Sequence, residues 1–203
     1  MIYERGNQKI VFIDIPRTGG VVTDDVLTAL GFSKIPVKKN KYDVVPRHLT
    51  YKELQRCVWK EDSDEDLEEY FSFTFVRNPY TRMYSEWDKY HRRMPFSEFI
   101  TKIPEWTEDD IQVHNSHLRP QSNFTWDGVR GSVNRIGRYE NYVGDLISIL
   151  SDVGFMKEQL PVILPPYKTY GSPEVDRNNY NYDTITTMIQ TYWKDLSWFD
   201  YTL

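Results

Sequence analysis

The 203-residue sequence predicts an α/β protein in which a mostly parallel sheet is flanked by helices. Short apolar runs such as Lys9–Ile15 and Phe71–Val76 have the pattern of strands covered on both faces. Each run is followed by a segment whose apolar side chains recur at helical spacing. Strands that alternate with helices favour right-handed crossovers and parallel pairing. The length fits one domain over residues 1–203 and is also compatible with two small ones.

The first strand leads into a glycine-containing corner, FIDIPRTGGVV at Phe12–Val22. The apolar run breaks at Pro16, and a helix is predicted from about Gly20. Its apolar face and its stop are formed by Val22, Val26, Leu27, Leu30 and Gly31. Further along, Tyr42–Val45 is a candidate short strand, and LTYKELQRCVW predicts a helix capped by Thr50.

A second strand-to-helix corner follows Phe71–Val76, whose three phenylalanines share one face. In RNPYTRMYSEW, Asn78 is a good N-cap, Pro79 takes the first helical position and Arg77 lies at the apex.

The remaining elements complete the alternation. Asn134–Arg138 is a candidate strand, and a helix with its apolar face from Tyr142 to Leu150 follows it. Pro161–Tyr182 predicts an extended surface excursion, and Thr184–Trp193 predicts the last helix.

The charge and cysteine content limit the function classes. A net charge of −5 argues against a general nucleic-acid binder, although six basic residues between Lys34 and Lys52 fit either a solvated face or an anion-attracting rim. The single cysteine, Cys57, excludes an intrachain disulfide and favours a reducing compartment. Since no run has the length of a signal peptide or a membrane span, we expect a cytoplasmic protein without a membrane span.

The first corner has the features of an anion site. A helix N-terminus offers unpaired N–H groups and the positive end of the helix dipole, and Arg17 adds a charged donor fork. A tight turn with a surface arginine is the alternative. A P-loop NTPase is disfavoured, because the run G-x-x-x-x-G-K-[ST] is missing. Arg77 and Ser85 at the second corner would hold a second phosphate, which points to one doubly phosphorylated nucleotide.

Both corners resemble segments of the sulfotransferases that use 3′-phosphoadenylyl sulfate (PAPS). FIDIPRTGG is similar to their 5′-phosphosulfate loop, and FVRNPYTRMYSEW to their 3′-phosphate segment. Four further segments are similar to those of carbohydrate sulfotransferases, the 2-O type in particular: RHLTYKEL, HLRPQSNF, IGRYENYVGDL and YWKDLSWFDY. The resemblance extends from residue 12 to residue 201.

This resemblance implies a P-loop-like nucleotide-binding core and sulfuryl transfer from PAPS to a hydroxyl of a carbohydrate. It implies His48 as the base, with His117 in reserve, and Arg17 as the group that stabilises the bridging oxygen. The donor-binding residues that it implies are Arg17, Thr18, Gly19, Gly20, Val21, Arg77, Ser85 and Arg138. Arg138 and Arg119 are weaker candidates: either contacts nucleotide or acceptor, or simply pairs with a carboxylate such as Glu140. No metal is expected.

Two departures from the family pattern leave a second hypothesis open. Arg17 replaces the usual lysine, and Val21 and Val22 replace residues with hydroxyl groups. The chain would then bind PAPS or a glycan without transferring sulfate. A phosphoryl-transferring enzyme is a third, disfavoured hypothesis. Acceptor recognition is expected in loops at Met94–Asp110 and Pro161–Tyr182.

Overall fold

A computed structural model of the chain describes residues 1–36, 46–58, 67–108, 113–126, 133–156 and 177–203. The strands are β1 (Ile2–Arg5), β2 (Gln8–Ile13), β3 (Ser33–Ile35), β4 (Phe71–Val76) and β5 (Arg135–Arg138). The helices are α1 (Gly20–Ala29), α2 (Tyr51–Val58), α3 (Pro79–Glu86), α4 (Phe96–Glu108), α5 (Val113–Leu118), α6 (Ser122–Thr125), α7 (Tyr142–Asp152) and α8 (Tyr182–Trp198). A π-helical turn, Trp87–His91, continues α3, and a 3₁₀ turn covers Pro46–His48.

The five described strands form one mixed sheet in the order β3-β1-β2-β4-β5. Strands β2, β4 and β5 pair in parallel, as the alternation of strands and helices predicted. Strand β1 is antiparallel to both β2 and β3. The sequence pattern predicted neither β1 nor β3. Both strands are short. The second half of β1 and most of β3 are exposed, so these strands lack the continuous apolar pattern of a buried strand.

Alternating side chains of the central strands build a core on each face of the sheet. Phe12, Phe73 and Phe75 pack with α1 and α7 on one face. Val11 and Ile13 pack on the other face with α2, α6 and the end of the chain. A third cluster lies among α3, α4 and α8 and includes Met83, Phe99 and Tyr192.

Local sequence signals place several element ends correctly. Strand β4 has the predicted bounds, α1 begins at Gly20, and the Asn78 side chain accepts a hydrogen bond from the Tyr80 amide at 3.0 Å. Thr50 caps α2 through a reciprocal capping box, because Glu53 N donates to Thr50 Oγ1 and Thr50 N donates to Glu53 Oε2.

The expected loop at Met94–Asp110 is wrong, since most of it forms α4. Phe96, Phe99, Ile100 and Ile103 recur at helical spacing, and the last three are fully buried. The predicted last helix is also longer, running from Tyr182 to Trp198. The candidate strand Tyr42–Val45 and most of Pro161–Tyr182 lie outside the described residues. In the described part of the chain, no helix combines the length and apolarity needed to cross a membrane.

The close packing of β5 on β4 generates a stability prediction. A Cβ at Gly137 would lie 2.5 Å from the Phe75 ring, so we expect Gly137→Ala to destabilise the fold by about 1–3 kcal/mol. Ile136, the preceding residue, is 42% exposed, and Ile136→Thr is expected to change stability by less than about 0.5 kcal/mol. Urea denaturation followed by circular dichroism measures both. Equal midpoints for the two variants would contradict this packing.

Candidate active site

The carboxyl ends of the three parallel strands meet at one edge of the sheet. Ile13 pairs with Thr74, and Val76 pairs with Arg138, so β2, β4 and β5 end close together. Arg17 lies on the loop after β2, Arg77 directly follows β4, and Arg138 ends β5. Ligands of open α/β sheets bind at this edge.

The structure joins the two corners through Arg17 and Ser85. The Arg17 guanidinium donates from Nη2 to Ser85 Oγ at 2.6 Å and from Nε at 3.1 Å. Arg17 has a φ of 69°, which is uncommon for a residue with a side chain. The left-handed backbone turns this side chain toward α3. The two strand-to-helix corners therefore form one site.

Arg77 lies beneath this contact and is only 3% exposed. Its Nη1 donates to the Arg17 carbonyl at 3.2 Å, its Nε donates to Thr81 Oγ1 at 3.0 Å, and its guanidinium stacks on the Tyr139 ring at 4.3 Å. Burial, with a further effect of the Arg17 charge, lowers the pKa of Arg77 to about 10. Arg77 therefore stays protonated at neutral pH and brings a second buried positive charge to the site.

The loop between β2 and α1 depends on both of its glycines. Gly19, with a φ of 99°, is the N-cap of α1, and the first amides of the helix have no intrahelical acceptor. A Cβ on Gly19 would lie 2.6 Å from the Tyr142 ring, and one on Gly20 would lie 1.7 Å from Asp14 Oδ1. The glycines are thus needed to build the loop against Tyr142 and Asp14.

The side chains of Thr18 and Val21 lie in different surroundings, one buried and the other exposed. Thr18 is fully buried, and its hydroxyl donates to the Ile15 carbonyl at 2.8 Å. Val21 is 63% exposed and lies in the first turn of α1. Its backbone amide, and that of Thr18, stay candidates for anion binding.

His48 has the geometry of a proton acceptor. Its Nδ1 lies 2.9 Å from the backbone carbonyl of Asp14, so Nδ1 carries the hydrogen and Nε2 carries the lone pair. Burial lowers the pKa of His48 below its ordinary value, against the opposing effect of Asp14. The neighbouring Arg47 donates from Nε to Asp14 Oδ2 at 2.5 Å, which ties the His48 turn to the end of β2.

Comparison with known protein families matches residues 2–202 to the sulfotransferase family. The chain belongs to that family. No curated protein and no solved structure matches the sequence.

In this sulfotransferase, His117 lies beside His48 rather than apart from it. The two rings meet edge to face with centroids 5.1 Å apart, and His117 Nδ1 lies 3.0 Å from Glu86 Oε2. The His91 side chain is 17% exposed. It stacks on Phe99 and Trp106 and lies 3.9 Å from Glu86 Oε1.

The two weaker arginine candidates have protein partners. Arg138 Nη2 donates to the Phe199 carbonyl at 2.6 Å, and its guanidinium lies over the Tyr201 ring. Arg119 Nη1 forms an ion pair with Glu53 at 3.0 Å. Arg138 is at the strand edge that carries Arg77, whereas Arg119 lies with the α2 side of the site.

Sequence reasoning missed the side chains that hold the site together. The Arg82 side chain is fully buried and donates to three backbone carbonyls, those of Pro16, His117 and Arg119. Gln121 is also fully buried, and its amide group bonds to both the N–H and the carbonyl of Arg77 at 2.8 Å. Arg82 lies in RNPYTRMYSEW and Gln121 in HLRPQ, so the quoted segments contained both residues, but their roles required tertiary structure.

Asp195 of α8 supports the Gln121 turn of the sulfotransferase. Its carboxylate accepts from the amides of Gln121 and Ser122 at 2.7 and 2.8 Å. Across the described residues, no group of three or more histidine, cysteine or acidic side chains is arranged to hold a metal.

The buried Arg82 generates the next prediction. We expect Arg82→Met to reduce the free energy of unfolding by roughly 3 kcal/mol or more, because three buried carbonyls lose their donor. The matched control is Arg92→Met. The Arg92 side chain is 69% exposed and pairs with Asp88, so this change is expected to cost less than about 1 kcal/mol. Urea denaturation of both variants measures the difference. A loss for Arg82→Met no larger than that of the control would contradict the assignment.

Proposed function

We propose that this sulfotransferase transfers a sulfuryl group from PAPS to a hydroxyl of a carbohydrate acceptor by in-line attack, with His48 as the base. The observation that carries the proposal is the contact of Arg17 with Ser85 above the buried Arg77. Three groups that resemble the donor site of the family thereby lie together at the ligand-binding edge of the sheet.

The donor side is suited to two anionic groups. The amides at the start of α1 and the Arg17 guanidinium fit the 5′-phosphosulfate, with Thr18, Gly19, Gly20 and Val21 contributing backbone donors. Arg77 and Ser85 fit the 3′-phosphate, and Arg138 at the end of β5 is a further candidate. The P-loop-like core implied by the resemblance belongs to this proposal.

The acceptor side supplies a base. His48 donates from Nδ1 to Asp14, so its Nε2 lone pair is directed elsewhere and fits the proton of an acceptor hydroxyl. The acceptor oxygen forms a bond to sulfur, the bond from sulfur to the bridging oxygen breaks, and the proton moves to His48 Nε2. The nucleotide leaves with the bridging oxygen on its 5′-phosphate.

Arg17 can stabilise the leaving phosphate without transferring a proton to it. An arginine keeps its proton, so Arg17 acts by placing positive charge and two N–H donors near the developing negative charge. A phosphate leaving group is stable as an anion near neutral pH. Replacing the lysine of the family with arginine is therefore compatible with turnover.

A carbohydrate acceptor is supported by the resemblance to carbohydrate sulfotransferases and by the aromatic side chain near the base. Tyr90 is 56% exposed and lies edge-on to His117, with ring centroids 5.5 Å apart. Exposed aromatic rings stack on the apolar faces of sugars. The second candidate, a protein that binds PAPS or a glycan without transfer, is favoured by Val21 and Val22, which offer no side-chain donor.

Donor binding and transfer are tested together. Calorimetry with the desulfated donor, adenosine 3′,5′-bisphosphate, is expected to show one site, weakened at least about tenfold in Arg77→Ala because a buried charge partner is lost. Transfer of label from sulfur-labelled PAPS to a glycan panel is expected in the wild type and lost in His48→Ala, which should still bind the bisphosphate.

The control for these variants is Lys102→Ala, which removes a cation from an exposed ion pair on α4. It should bind and transfer like the wild type. Absence of bisphosphate binding to the wild-type protein would refute both PAPS hypotheses. Tight binding without transfer to any acceptor would favour the non-transferring protein.

The pH dependence follows from the burial of His48. A protonated His48 cannot accept the acceptor proton, and burial lowers its pKa below the ordinary value of 6.5. The base is therefore unprotonated at pH 6.5, and we expect kcat/KM to fall only at lower pH. A pH–rate profile with saturating PAPS measures this limb. Loss of activity that begins well above pH 6.5 would contradict the assigned environment.

A further inference from the structure

The residue after Ser85 is a buried carboxylate at the boundary of the donor and acceptor sides. Glu86 ends α3 and is only 2% exposed. Its two ion-pair partners are histidines, with His117 Nδ1 at 3.0 Å and His91 Nε2 at 3.9 Å. A buried carboxylate is costly unless it is paired, so these imidazoles are part of what allows Glu86 to lie inside the protein.

The helix geometry at this point is irregular. The π-helical turn Trp87–His91 begins directly after Glu86 and brings residues five apart onto one side of the helix. His91 therefore reaches back to one oxygen of Glu86, while His117 from α5 reaches the other. π-Helical turns are rare in proteins overall, and those that occur are often found at functional sites.

His117 is held in place from several directions. Its Nδ1 donates to Glu86, its backbone carbonyl accepts from Arg82 Nη2 at 2.8 Å, and the Tyr90 ring lies against it. Its remaining neighbour is His48, whose ring it meets at an interplanar angle of 81°. Each histidine uses Nδ1 for a fixed acceptor, Glu86 for His117 and the Asp14 carbonyl for His48.

We propose that Glu86 and His117 form a positioning pair for the base, in which Glu86 orients His117 through its Nδ1 and the His117 ring, held against His48, opposes protonation of that base. This inference rests on the proposed role of His48. Two adjacent imidazoles do not both ionise readily, since like charges at this separation repel. The Glu86 carboxylate accepts from His117 Nδ1 at 3.0 Å, whereas the carboxylate nearest to His48 is that of Asp14, 3.9 Å from its Nδ1.

Charged and titratable groups lie against the pair from several elements of the described structure. His48 faces Asp14 after β2, Arg47 in its own turn, and His117 on α5. His117 faces Glu86 on α3 and Tyr90 in the π-helical turn. Arg82 lies close enough to Glu86 to interact with its charge. The Asp14 charge favours protonation of His48, and His117 acts against this effect.

The test is a histidine titration by nuclear magnetic resonance, which does not require activity. In His117→Gln, the buried Glu86 charge is left without its closest ion-pair partner, so we expect His48 to titrate at higher pH by about half a unit, roughly a threefold gain in proton affinity.

The double variant His117→Gln/Glu86→Gln removes both members of the pair and is expected to return His48 toward its wild-type titration. His91→Gln is the matched control, since His91 lies by the same carboxylate but packs on Phe99 and Trp106. It should leave the His48 titration unchanged. A His48 titration in His117→Gln that is unchanged, or moved to lower pH, overturns the proposal.

Kinetics separate this inference from the proposed function. If the enzyme transfers sulfate, the acid limb of kcat/KM in His117→Gln moves to higher pH together with the His48 titration, while the affinity for adenosine 3′,5′-bisphosphate stays the same. A purely structural role would lower kcat equally at all pH values. If the wild type binds no bisphosphate, the proposed function fails, but the His48 titration in the variants still decides whether the pair exists.

Discussion

The parallel pairing of β2 with β4 is the constraint on which the site depends. In this register Ile13 lies opposite Thr74, and Thr74 Oγ1 donates to the Ile13 carbonyl at 2.6 Å. Both strands therefore end at the same height and turn into helices on the same edge. A register shift by one residue would exchange the two faces of β4, move its phenylalanines into the core on the opposite face and separate Arg17 from Ser85.

The partners of the arginines divide the site into two electrostatic regions. On the donor side, Arg17, Arg77 and Arg82 donate to a serine hydroxyl, a threonine hydroxyl and backbone carbonyls. A hydroxyl partner such as Ser85 orients the Arg17 guanidinium without neutralising its charge. On the acceptor side, Arg47 and Arg119 pair with Asp14 and Glu53. The field is thus concentrated where a nucleotide with several negative charges would bind.

The sequence predicted the parts of the fold that depend on local signals. Phe71–Val76 alternates and is bounded by a cap, and Gly19 and Gly20 mark the start of α1, so periodicity and capping located both corners. Helix α4 was not predicted, although its apolar side chains recur at helical spacing and Pro104 lies within it. Strand β1 was missed because half of it is exposed.

For the site, the sequence predicted only those charged residues that follow the end of a predicted strand. The roles of Arg82 and Gln121 depend on carbonyls and amides that lie 35 to 66 residues away, and no local pattern announces such partners. The pairing of Glu86 with His117 has the same origin, since it requires α5 to lie beside the end of α3. Buried polar contacts between distant segments are fixed by tertiary packing, which a single sequence does not display.

The valines at positions 21 and 22 acquire a physical explanation from the shape of the loop. In related donor loops, side-chain hydroxyls add to the backbone donors, whereas here the first turn of α1 offers its amides and the positive end of its dipole. Arg17 brings two donors where a lysine brings a single point charge, and its contact with Ser85 shows that the fork reaches the second corner. The chain therefore gains at Arg17 part of the hydrogen-bonding capacity that it lacks at Val21 and Val22, without requiring a change in the path of the backbone.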